Sequence, residues 1–113
     1  MMMYASFSVG EYNFPSIVLA RKYAYGLAMN TAKPVSIAYT DPVQWSRTYV
    51  IGRVMRKSGS DSMLWIPVFN DLTREFWNKH YISQWVYYLR KDGTLGDGGH
   101  FHNGQPTFYR RRR

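Results

Sequence analysis

A chain of 113 residues, 45% hydrophobic and 18% aromatic, holds material for one core and leaves no room for two. It has no cysteine, which excludes a disulfide scaffold, a zinc ribbon or finger, and thiol catalysis. The net charge of +8 invites acidic partners, but four of those charges are Arg110, Arg111, Arg112 and Arg113, leaving only +4 for the body.

The first residues, Met1-Met2-Met3-Tyr4, lack the basic and apolar regions of a secretion signal. No uncharged stretch reaches a membrane span. A cytoplasmic protein without a membrane partner is expected. Residues 4–9 fit a first strand ended by Gly10. Asn13-Phe14-Pro15-Ser16 reads as a helix start, because Asn or Ser can cap and Pro is tolerated in the first turn. From Ser16 to about Thr31 the period is helical. Ile17, Ala20, Tyr23, Ala24, Leu27, Ala28 and Thr31 share one side, and Arg21, Lys22, Tyr25 and Gly26 lie outside it. That stripe is mostly small, so the helix should lie close to a sheet. Pro34 stops it.

Val35 to Thr40 alternates as a strand, and Asp41-Pro42 begins a turn. Arg47 to Lys57 and Ser62 to Phe69 form the clearest hairpin, joined through Ser58-Gly59-Ser60-Asp61. Pro67 cannot donate to a ladder and predicts a sheet edge or strand end. Asn70-Asp71 is expected to cap a short helix through Lys79, with Leu72 and Phe76 on one face and Glu75 paired to Lys79. Tyr81 to Lys91 is the last strong strand. Asp92-Gly93 then turns the chain, with Thr94-Leu95 as no more than a stub of a partner strand. The Gly- and Pro-punctuated residues 96–113 read as a tail. The expected fold is α+β in residues 1–95: a small antiparallel or mixed sheet of about four to five strands. One main helix packs on one face, beside a second short helix. A parallel β-α-β unit at the start would be right-handed.

No nucleophile elbow, phosphate loop or calcium loop is present. The seven acids are scattered, and Asp71 and Glu75 fit capping and pairing as readily as acid/base work. His100 and His102, with His80 or Asp97 nearby, lack a metal-site framework and read as polar turn residues. No catalytic residue, metal or cofactor is assigned.

Two binding chemistries account for the surplus of rings and cations. In the first, Trp45, Trp65, Trp77, Trp85 and Tyr88 form a protein-docking patch, extended by Tyr12 and Tyr25. Trp, Tyr and Arg are the usual anchors of hot spots, and self-association as a homodimer would use the same groups. Size and style also suit a phage or mobile-element accessory protein that binds or inhibits a host factor. In the second, DNA or RNA lies on a basic sheet face carrying Arg47, Arg53, Arg56, Lys57, Arg90 and Lys91, with Arg110, Arg111, Arg112 and Arg113 gripping phosphates. Strand periodicity groups Tyr49, Ile51, Arg53, Met55 and Lys57 on one surface. Protein docking is the first expectation and nucleic-acid binding the alternative.

Overall fold

The computed structural model of the chain describes residues 6–43, 47–80, 86–102 and 105–108. The chain opens with a hairpin of β1 (Ser6–Val9) and β2 (Tyr12–Phe14), turned at Gly10 with φ 59°. Helix α1 (Ile17–Thr31) follows. Ser16 caps it, its hydroxyl accepting from the Leu19 amide at 3.2 Å. Ala32, in the left-handed region at φ 57°, ends it by donating its amide to the Ala28 carbonyl.

Strands β3 (Val35–Thr40), β4 (Thr48–Arg56) and β5 (Met63–Pro67) come next, then helix α2 (Arg74–His80). The chain ends in β6 (Val86–Leu89), β7 (Leu95–His102) and β8 (Gln105–Phe108). All eight described strands form one antiparallel sheet in the order β2-β1-β3-β4-β5-β6-β7-β8.

The α+β class with two helices stands, but the strand number does not. Short β2 replaces the expected helix-start loop and reverses the chain before α1. As a result β1 and β3 pair antiparallel, and no parallel β-α-β unit arises. The expected stub after Asp92-Gly93 is the eight-residue β7, and β8 pairs with it, so the sheet continues through residues read as a tail. Glycine weakens a strand mainly by lacking a side chain to pack. Here Gly98 and Gly99 pair with bulky Tyr87 and Val86. Pro67 does end its strand, although β5 is central.

The core lies under α1. Ala20, Ala24 and Ala28 are fully buried, and their small size lets the helix sit close to Ile37 and Val54 on β3 and β4. Helix α2 adds Phe76 and Trp77, whose rings meet Phe7, Tyr39 and Trp65 on the same sheet face. Trp65 is completely buried. A Cβ on Gly52 would overlap the Trp65 ring, so glycine is what admits the indole there.

Arg21, expected outside the packed side, is buried. Its guanidinium lies 5.3 Å from the Trp65 ring centroid and its Nε donates to the Gly93 carbonyl at 2.9 Å. That contact ties the β6–β7 turn to the helix. Gly93, at φ 93°, leaves no room for a Cβ against the Val18 carbonyl. Asn70 caps as expected, its side chain accepting from the Leu72 and Thr73 amides, although α2 itself runs only from Arg74 after one turn. Leu72 is therefore exposed and does not share a buried face with Phe76.

Candidate docking surface

The tryptophans do not form the expected patch. Trp65 is inside, and Trp77 is only 6% exposed, with its indole N–H donating to the Val68 carbonyl at 2.9 Å. Both are core residues, drawn in because α2 folds back over the sheet and meets Trp65 edge-on. Trp45 and Trp85 lie outside the described residues. Tyr88 is half-buried and is engaged by Lys57, whose Nζ lies 2.9 Å from the phenol oxygen.

The cations are likewise dispersed. A bulge at Ile51 breaks the anticipated surface on β4: Ile37 pairs with Gly52, yet Ala38 pairs with Val50. Tyr49 therefore faces the helices, and Arg53, Met55 and Lys57 face the other way. Arg56 reaches the C-terminal half of α1, donating to the Met29 carbonyl at 3.2 Å. Arg90 donates to the Leu95 carbonyl and to Thr94. Arg47, Arg53 and Lys91 are exposed on different strands or turns. Arg110, Arg111, Arg112 and Arg113 lie outside the described residues, as do the side chains of His80, His100 and His102.

An apolar groove instead opens along the outer flank of α1. Phe14, Leu19, Tyr23, Gly26 and Leu27 line it, Lys22 and Asn30 supply its polar rim, and its volume is about 420 Å³. Tyr12 stands beside it, 58% exposed, with its ring 5.3 Å from Tyr23; Phe14 approaches Tyr23 from the same strand at 5.4 Å. Leu19 is 44% exposed. A helix packed on a sheet normally turns polar residues outward. Here the inner face is alanine and the outer flank is leucine and tyrosine. Tyr23 and Leu27, which periodicity places in the core stripe, are half-buried: they pack against the core and also line the groove. The missed signal was Leu19 and Tyr12, apolar groups that stay exposed outside the stripe.

A second, smaller and polar notch of about 50 Å³ lies at the α2 end of the sheet, between Tyr39, Asp41, Arg47, Tyr49 and Glu75. Partial burial pushes the Tyr39 hydroxyl above its ordinary value, and the Asp41 carboxylate pushes further in the same direction. Tyr49 is raised by the same causes, with Arg47 opposing. Among the described residues the notch offers two phenols, two carboxylates and one guanidinium. Among the described residues no three His, Cys, Asp or Glu side chains converge to hold a metal. No described helix is long and apolar enough to cross a membrane. Compared with protein-family models, with curated proteins and with solved structures, the chain matches none.

Proposed function

We propose that this chain is a small basic accessory protein that binds, and thereby modulates, a protein partner through the groove between β2 and the outer flank of α1. The observation that carries the reading is the apolar outer flank itself. Leu19, Tyr23 and Leu27 present hydrophobic area around a glycine, beside an exposed tyrosine. Apolar area left wet costs about 25 cal/mol per Å², and contiguous apolar patches on soluble domains mark interaction sites. Tyrosine and leucine around a concavity supply the buried anchors that interfaces need, and Lys22 and Asn30 give a polar rim.

The nucleic-acid alternative finds less support. Phosphate binding needs cations on one surface, whereas Arg21 is buried and Arg56, Lys57 and Arg90 are engaged with groups of this chain.

The test is affinity capture from the native source, with nuclease present throughout, comparing the native chain with Leu19→Glu and Arg53→Glu. Docking through the groove predicts a stoichiometric, nuclease-resistant protein that Leu19→Glu loses and Arg53→Glu keeps. Retention by Leu19→Glu, or recovery that vanishes with nuclease, overturns the reading.

A further inference from the structure

We infer that the protein occupying the groove is a second copy of this chain, joined edge to edge through β2 about a two-fold axis. This rests on the groove being a docking surface and names its occupant. β2 forms one edge of the sheet among the described residues. Its hairpin with β1 has a two-residue turn, closed by the pair Val9 and Tyr12. In such a hairpin the closing pair exchanges both ladder bonds, and the bonding direction alternates along the strand. The Asn13 N–H and C=O therefore point to the open edge.

Two copies pairing antiparallel with Asn13 opposite Asn13 would satisfy those groups reciprocally. The same register sets Tyr12 of each copy directly opposite Phe14 of the other. Tyr12 and Phe14 share the face that carries α1, because their partners Val9 and Phe7 are core residues on that face. Each Tyr12 ring, now 58% exposed, would thus enter the other copy's groove against Phe14 and Tyr23. Aromatic cross-strand pairs of this kind stabilise sheets.

Gly26, at the groove, has open space where a side chain would stand, which leaves room for the neighbouring helix. Pro15 lacks an N–H and limits the ladder to a short length, so the rings must supply most of the attachment.

The absence of cysteine gives a clean test. Facing residues of an antiparallel bonded pair have Cα atoms about 5.5 Å apart, within the span of a disulfide. The full chain carrying Asn13→Cys should become a covalent dimer under mild oxidation, and Ser36→Cys, on β3 away from the β2 edge, should not. Sedimentation of the native chain in 0.15 M salt should show a concentration-dependent species of twice 13.3 kDa. Tyr12→Asp should weaken that association at least tenfold, with an unchanged far-UV circular dichroism spectrum. A monomer at every concentration, together with Asn13→Cys cross-linking no faster than Ser36→Cys, overturns the dimer. The groove reading would then be judged separately, by whether Leu19→Glu loses a partner of different mass.

Discussion

Gly52→Ala is the sharpest test of how the core is built. The added methyl would enter the Trp65 ring, and the ring is fully buried. The Arg21 guanidinium lies 5.3 Å from its centroid and the Trp77 ring meets it edge-on at 6.5 Å. Overpacking a filled site costs about 1–3 kcal/mol, and the entropic gain from replacing glycine returns about 0.5–1 kcal/mol. A net loss of about 1–2 kcal/mol is expected. Trp65→Leu alone removes a large buried side chain and should cost about 3 kcal/mol or more. In the double variant the methyl occupies space the indole has left. Its loss should therefore be close to that of Trp65→Leu alone, a coupling of about 1–2 kcal/mol. Urea unfolding followed by far-UV circular dichroism measures all four corners of the cycle without relying on tryptophan emission. Additive losses would refute the claim that ring and glycine are fitted to each other.

Other consequences are equally direct. Gly26→Ala, in an exposed mid-helix position with nothing within 4 Å, should raise stability by about 0.5–1 kcal/mol while weakening association through the groove; a thermal melt and a binding titration on the same sample separate the two. Thr73→Val should cost about 1–2 kcal/mol in urea unfolding, because its buried hydroxyl donates to the Val68 carbonyl at 2.6 Å and accepts from the Asn70 amide at 2.9 Å. Tyr39 and Tyr49 both have raised pKa values in the fold, so the fold favours their neutral forms. That contribution is fully present below the unfolded value of about 10 and is lost as pH rises through the folded values. Melting temperature should fall in that alkaline range, and Tyr49→Phe should flatten the fall; an unchanged slope would contradict the assignment.

Much of the fold could be read from the residues. Ser16 and Pro34 bracket α1 because capping and helix breaking are local chemistry. The 58–61 connection and the Asp92-Gly93 turn likewise declare themselves through turn residues. What escaped depended on distant partners. β2 is three residues beside a proline, and only pairing with β1 makes it a strand. β7 contains glycines that become strand residues by pairing with Tyr87 and Val86. Arg21 looked solvent-facing until the β6–β7 turn brought the Gly93 carbonyl to its Nε. The bulge at Ile51 has no local signature, yet it sends Tyr49 and Arg53 to opposite faces and dissolves the basic surface that strand periodicity implied. The groove was hidden for a related reason. Periodicity counts apolar positions, but it does not reveal that Leu19 and Tyr12 stay exposed beside half-buried Tyr23 and Leu27.

The most direct measurement is contact itself. A photo-activated cross-linking side chain placed at Leu19, on the groove, and separately at Arg53, on the opposite sheet face, reports what touches each surface in an extract of the native source. Protein docking through the outer flank of α1 predicts one discrete protein adduct from position 19 and none from position 53. Adducts from position 53 alone, or adducts made of nucleic acid, would contradict it.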